Sequence, residues 1–245
     1  MPSFQIENSV AFVTGTNRKN GIGRALVKAL IEHGAKKVYA TARNADQLQD
    51  FVAEYEEGKV VPVALDVTDF ETLRDLSQHY PDVNLVVNNA GYMAGTGSFD
   101  DVDKARMEIF INYLAPMAIV KSFSDQLKKN KNAAVVNVAS IAALINFPQG
   151  ATYSASKAAV HSLTQAQRRD LPEALIMGVY PGPIDTDMAS ELPFEKESTS
   201  TVALAMVKAL ERGEEEVFPD KMAAQLFDSW KSDFKAVEKQ MAVSA

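Results

Sequence analysis

Tyr153 and Lys157 stand four residues apart, so on a helix both side chains share one face. That spacing suits proton transfer. A free phenol ionises near 10 and is a poor base at neutral pH; bringing it to ~7 takes about 4 kcal/mol of phenolate stabilisation. An ammonium ~5 Å away, at an effective dielectric of ~20, supplies roughly 3 kcal/mol. A Tyr-x-x-x-Lys pair also arises by chance on helix surfaces, so its companions matter. Ser140 closes the run Val138-Ala139-Ser140 with a hydroxyl that could hold a substrate oxygen or cap a turn. Asn112 interrupts an apolar helical stretch, where a buried amide needs a partner. A satisfied core amide is the plain alternative. The remaining constellation is glycine: Thr14-Gly15, then Gly21-Ile22-Gly23. Glycines admit a pyrophosphate close to backbone, and a helix N-terminus offers it free N–H groups. A turn that only caps a helix is the plain alternative here as well.

These residues need elements to hold them. Short apolar runs at 10–14, 37–42, 60–65, 85–88, 134–139, 175–180 and 216–218 read as strands. Amphipathic stretches at 22–33, 45–55, 69–80, 104–130, 152–170, 199–212 and 221–241 read as helices. Near-continuously apolar strands alternating with helices imply an α/β fold: a doubly wound, Rossmann-type parallel seven-stranded sheet with helices on both faces. Such sheets bind ligands beyond the carboxyl ends of their strands, where the winding reverses. No linker or repeat divides the 245 residues, so one domain is expected. Its substrate loop falls at about 187–200 and its C-terminal helix at about 221–241.

Composition narrows the function. A net charge of −7 argues against nucleic acid, whose phosphates need a basic face. The absence of cysteine removes disulfides and thiolate chemistry and fits a reducing, cytoplasmic setting. With three His and no Cys, no metal site is expected. The first eight residues lack the pattern of a signal peptide. No apolar run reaches the ~18 residues a membrane span requires.

The second strand ends Tyr39-Ala40-Thr41-Ala42-Arg43, without the acid that would bind the ribose 2′-hydroxyl of NAD. Arg43 would attract a 2′-phosphate and bind it bidentately, with Arg18 or Lys19 closing from the other side. NADP(H) is therefore the expected cofactor, with NAD(H) the alternative. A solvated loop residue is the other reading of Arg43.

The glycine turn resembles the Thr-Gly-x-x-x-Gly-x-Gly segment of short-chain dehydrogenases/reductases, lengthened so that five residues separate Gly15 from Gly21. Asn88-Asn89-Ala90-Gly91, Asn112, Ser140, Tyr153/Lys157 and Pro181-Gly182-Pro183-Ile184-Asp185-Thr186 follow in family order, from about residue 8 to 188. The likeness is to an NADP(H)-preferring, carbonyl-reductase-like member. It implies that Asn112, Ser140, Tyr153 and Lys157 are catalytic. Asn112 would hold a water that passes protons by way of Lys157. It further implies cofactor contacts from Gly15, Asn17, Arg18, Lys19, Gly21, Ile22, Gly23, Arg43, Asp66, Val67, Asn89, Ala90, Gly91, Tyr153, Lys157, Pro181, Gly182, Ile184 and Thr186. Asp66 would accept from the adenine amino group, with Val67 beside the ring; Asp69 is left to cap the next helix.

Met93, Ile141, Phe147, Met188 and Leu192 are the expected substrate walls, with Tyr92, Leu144 and Phe194 nearby. Their character suits a small hydrophobic ketone or aldehyde, although core packing explains each equally well. The resemblance also implies a homodimer or homotetramer built through helices 104–130 and 152–170. Ala155, Ala158 and Ala159 would allow close packing there. An NAD(H)-dependent alcohol dehydrogenase, a non-catalytic dinucleotide sensor or scaffold, and a lyase or epimerase remain as competing functions. The apolar final helix could cover the core, a second subunit or the substrate loop.

Overall fold

In a computed structural model describing residues 3–98, 100–147, 150–190 and 195–243, strands and helices alternate along the chain. The strands are β1 (Val10–Val13), β2 (Lys37–Ala42), β3 (Val60–Ala64), β4 (Leu85–Asn88), β5 (Ala134–Val138), β6 (Leu175–Val179) and β7 (Glu216–Val217). The helices are α1 (Ile22–Glu32), α2 (Gln49–Val52), α3 (Phe70–Arg74), α4 (Leu76–His79), α5 (Val102–Ile109), α6 (Ala115–Lys129), α7 (Ala151–Asp170), α8 (Thr199–Arg212), α9 (Lys221–Ser232) and α10 (Phe234–Val243). The strands form one parallel seven-stranded sheet in the order β3-β2-β1-β4-β5-β6-β7. The winding reverses between β1 and β4, which opens a crevice at their carboxyl ends.

Alternation along each strand builds the two layers. Ala11 and Val13 enter one core with Leu85, Val87, Val136 and Met177; α1 and α8 pack on that face. Val10 and Phe12 enter the other core with Val86, Val135, Ile176 and the α6 residues Ile119 and Phe123. Both faces being covered explains why the strands are apolar throughout.

Four stretches expected as single helices are divided, each for a local reason. Segment 45–55 opens as a 3-10 turn at Ala45–Leu48, because the Asn44 side chain accepts from the Asp46 N–H at 2.9 Å before α2 begins. Segment 69–80 is split into α3 and α4 at Asp75. Segment 104–130 is interrupted by a π-helical turn, Phe110–Leu114, between α5 and α6. Pro116 accounts for it: it has no N–H for the Asn112 carbonyl four residues earlier, and its ring crowds that carbonyl. The expected C-terminal helix is two helices, α9 and α10. Asp233 between them is extended (φ −152°), and its carboxylate caps α10 through the Ala236 N–H at 2.9 Å. The expected loop 187–200 is also partly ordered. Asp187–Ala189 forms a helical turn, Ile184 pairs with Glu197, and α8 begins at Thr199 under a Ser198 cap. Among the described residues no helix is long and apolar enough to cross a membrane.

Candidate active site

The turn after β1 is shaped by close backbone approach. Gly15 has φ +72°, and a Cβ there would lie 2.7 Å from the Ala90 Cα. A Cβ on Gly23 would lie 2.7 Å from the Gly15 carbonyl oxygen and collide with the Asn89 side-chain nitrogen. Asn89 locks this packing: its Nδ2 donates to the carbonyls of Thr14 (2.8 Å) and Gly15 (3.0 Å). The Thr14 hydroxyl accepts from the Asn89 and Ala90 N–H groups, both at 3.0 Å. Segment 88–91 is thus structural as well as a wall of the crevice. Gly21 starts α1 without a side-chain cap, and the first turn carries no acid. Its N–H groups, Ile22 and Gly23 included, are left for an anion.

The long turn 16–20 holds its cations apart. Thr16 turns inward and donates to the Thr41 carbonyl at 3.0 Å, whereas Asn17 is half-buried and Lys19 exposed. Arg18 reaches across the crevice mouth to Asp187 at 3.7 Å, an exposed ion pair. Arg43, at the end of β2, is exposed, with no ion-pair partner among the described residues. Asp66 is exposed, and its Oδ1 accepts from the Thr68 N–H (2.9 Å) and hydroxyl (2.8 Å), closing a local turn. One oxygen is therefore already occupied where an adenine contact was expected. Val67 packs on the second core, and Asp69 caps α3 as expected.

At the other end of the crevice, the loop after β4 is held by side chains. Asn112, 1 % exposed, accepts from the Tyr92 N–H and donates to the Tyr92 carbonyl, both at 2.8 Å. It also donates to the Ser156 hydroxyl at 2.8 Å. Glu108 accepts from the Ala94 N–H at 2.7 Å. Thr96 bonds the Thr152 hydroxyl at 2.5 Å, and its carbonyl accepts from the Ala151 N–H at 3.0 Å. The amide of Asn112 is a satisfied core group. A Cβ on Gly91 would sit 3.5 Å from its Oδ1 and 3.7 Å from Lys157 Nζ, so Gly91 lies between them.

Tyr153 and Lys157 do share a face of α7, with the ammonium 5.6 Å from the phenol ring centre. The lowering of the phenol that this spacing suggested is not what its surroundings produce. Burial pushes the Tyr153 phenol up to about 12, against the Ser140 hydroxyl beside it, which lowers it; the Glu108 charge adds to the rise. Burial likewise brings Lys157 down to about 8, and its Nζ donates to the Val138 carbonyl at 2.8 Å. Desolvation is the largest influence on both groups. Ser140 donates to the Pro181 carbonyl at 3.2 Å and accepts from the Ala142 N–H at 3.1 Å, so it caps the turn while touching the site.

The segment after β6 completes the crevice. Gly182 donates to Asp220 at 2.7 Å, Ile184 is buried, and the Thr186 hydroxyl donates to the Ile184 carbonyl at 3.3 Å. Of the expected substrate walls, Met93, Phe147 and Met188 are half-buried. Ile141 is only 3 % exposed, its N–H bonded to Pro181, and so belongs to the interior rather than to an open wall. Leu192 and Phe194 lie outside the described residues. Glu108, Ser156 and Asp220 were not anticipated, nor was the bonding of the Thr14 hydroxyl to Asn89 and Ala90. Only Glu108 had a legible sign, since it lies one helical turn before Asn112 on the same face.

The family model of short chain dehydrogenase matches residues 9–197. A curated relative from Botryotinia fuckeliana, named Oxidoreductase BOA17, is 28 % identical over 225 residues, covering 86 % of this chain and 81 % of its own. A short chain dehydrogenase from Burkholderia cenocepacia J2315, solved in complex with NADP, superposes with a TM-score of 0.89. It is 36 % identical and covers 97 % of this chain and 99 % of its own. A short chain dehydrogenase/reductase from Burkholderia phymatum, in complex with NAD, shares the fold at 21 % identity and a TM-score of 0.83, covering 95 % and 96 % of the two chains. With more than half its length matched by one family model and its fold superposing closely on a solved member, the chain belongs to the short-chain dehydrogenase family and is an oxidoreductase of that type.

Proposed function

We propose that the protein is an NADP(H)-dependent oxidoreductase that reduces a small hydrophobic ketone or aldehyde, with Tyr153 as the proton donor. The observation that carries this reading is the gathering of Ser140, Tyr153 and Lys157 around one point of the crevice. The crevice fits a dinucleotide: the uncapped α1 N-terminus offers N–H groups to a pyrophosphate, and Gly15 and Gly23 keep the approach clear. Arg43, exposed and without an ion-pair partner among the described residues, supports a 2′-phosphate contact, as does the NADP complex of the Burkholderia cenocepacia relative. Arg18 is engaged by Asp187, so Arg43 is the better placed of the two.

When bound, the nicotinamide supplies the hydride. The chain's own groups do the rest. With its phenol held near 12, Tyr153 keeps its proton at neutral pH and presents it to the carbonyl oxygen. Ser140 would hold the same oxygen after leaving the Pro181 carbonyl. Lys157, near 8, carries a proton at neutral pH and sits where it can steady the phenol as charge develops. Met93, Phe147 and Met188 would line an apolar substrate side. Exposed Ala155 and Ala158 on α7 would allow the close helix packing of a homodimer or homotetramer.

The test is NADPH oxidation against a panel of ketones and aldehydes, with NADH as control. NADPH should be preferred by about tenfold or more, and Arg43→Asp should reverse the preference. Preference for NADH in the unaltered protein would favour the NAD(H) alcohol dehydrogenase. Tight cofactor binding without turnover on any carbonyl would favour a sensor.

A further inference from the structure

One peptide unit of the site is held from two sides. The Pro181 carbonyl accepts from the Ser140 hydroxyl at 3.2 Å and from the Ile141 N–H at 3.0 Å. The N–H of the same unit, on Gly182, donates to Asp220 Oδ2 at 2.7 Å. The other oxygen, Oδ1, accepts from the Ala223 N–H at 2.9 Å and caps α9. Asp220 is buried, and a Cβ on Gly182 would lie 2.8 Å from Oδ1, so a glycine is what admits the side chain. Its support is stiff: Tyr180, Phe218 and the α9 residue Phe227 stack with ring centres 5.1 and 3.9 Å apart, joining the ends of β6 and β7 to α9. The two ties on the peptide differ in strength. The Asp220 tie, at 2.7 Å, is short for an N–H donor, whereas 3.2 Å is long for a hydroxyl. The peptide is thus fixed from the Asp220 side, and the Ser140 bond is the one that can open.

We propose that Asp220 is a positioning residue for Ser140: it fixes the Pro181–Gly182 peptide, so that the Ser140 hydroxyl rests on the Pro181 carbonyl in a bond weak enough to exchange for a substrate oxygen. The inference rests on the role given to Ser140 above. Capping a helix needs one acceptor. Asp220 supplies two, and the second goes to the peptide behind Ser140. Without that oxygen the Gly182 N–H loses its acceptor, and the peptide is free to turn together with the hydroxyl that rests on it. A bound carbonyl then has to order both groups, which raises the barrier to reaction.

Asp220→Ser separates the two tasks, because serine caps a helix about as well as aspartate but offers a single oxygen on a shorter side chain. Hydrogen exchange of the Gly182 amide is read by NMR, beside NADPH oxidation with a reducible carbonyl. Seating of α9 is read by melting temperature and by the fluorescence of Trp230, the one tryptophan, which stacks on Phe227. In Asp220→Ser the Gly182 amide should exchange about tenfold faster. Both kcat and kcat/KM should fall together, by about ten- to a hundredfold. Melting temperature and Trp230 fluorescence should stay close to those of the unaltered protein. In single turnovers at high enzyme concentration, Ser140→Ala should lose nothing further when Asp220→Ser is added. A role confined to capping α9 would leave either the Gly182 exchange or the turnover of Asp220→Ser unmoved, and each of these results overturns the proposal. A further loss in the Ser140→Ala background overturns it as well. Should Asp220→Ser fail to fold, Asp220→Asn, an equally good cap with one acceptor, is read the same way. Lack of turnover in the unaltered protein would count against the proposed reaction, while the Gly182 exchange would still decide whether Asp220 holds the peptide.

Discussion

Around the turn after β1, position is set by what side chains lack. Gly15 and Gly23 sit so close to Ala90, Asn89 and each other that no Cβ fits. Around the loop after β4, position is set by what side chains supply: Asn112, Glu108 and Thr152 hold Tyr92, Ala94 and Thr96. The first arrangement leaves backbone N–H groups open to a ligand. The second consumes nearly every polar group it contains and so fixes the surroundings of Tyr153. A diphosphate is recognised by shape and backbone, whereas proton transfer needs a rigid side chain in a chosen environment.

Cutting the side-chain pins should therefore damage the fold, and filling the glycine turn should damage the ligand site. Asn112→Ala strips partners from the Tyr92 N–H, the Tyr92 carbonyl and the Ser156 hydroxyl. A loss of about 3–5 kcal/mol in unfolding free energy is expected by denaturant titration. A loss below about 1 kcal/mol would mean that the loop is held by other means.

Lys157→Met sharpens the same contrast through pH. The ammonium is lowered from 10.5 to about 8 by burial, so between those values the unfolded chain holds a proton that the folded chain has released. Stability of the unaltered protein must then rise with pH through that window, by up to about 3 kcal/mol. The cost of burying the charge is present below 8. Lys157→Met lacks this slope, so thermal melts of the two proteins should converge or cross as pH rises from 8 to 10.5. Parallel curves would contradict a desolvated lysine.

Gly23→Ala is the smallest effect and falls on the other region. Its Cβ would press on the Gly15 carbonyl, distorting the turn. NADPH affinity should fall by about 2 kcal/mol, roughly thirtyfold, in a binding titration. An unchanged affinity would place the dinucleotide elsewhere.

The two regions also differed in how far the sequence disclosed them. Glycine spacing announces a turn because only glycine tolerates such approach, and apolar runs announce buried strands; β2 and β4 fall on the expected residues. The pairing of Tyr153 with Lys157 was legible because helical spacing alone brings i and i+4 together. What could not be read was partnership across the fold. That Asp66 turns to Thr68 and Arg18 to Asp187 depends on loop paths with no periodic signature. The phenol's shift depends on burial, which a local charge calculation around Lys157 omits. The bonds that the Asn112 side chain makes to Tyr92 and Ser156 were likewise beyond the sequence, because they join residues 20 and 44 positions apart.

The most direct test is Tyr153→Phe, followed by NADPH oxidation with a reducible carbonyl and by NADPH binding on the same preparation. The phenol's proton is the proposed acid, so turnover should fall on the order of a thousandfold while the dissociation constant for NADPH stays within about twofold. Turnover that survives in a folded, cofactor-binding Tyr153→Phe protein would show that the proton comes from elsewhere and contradict the account.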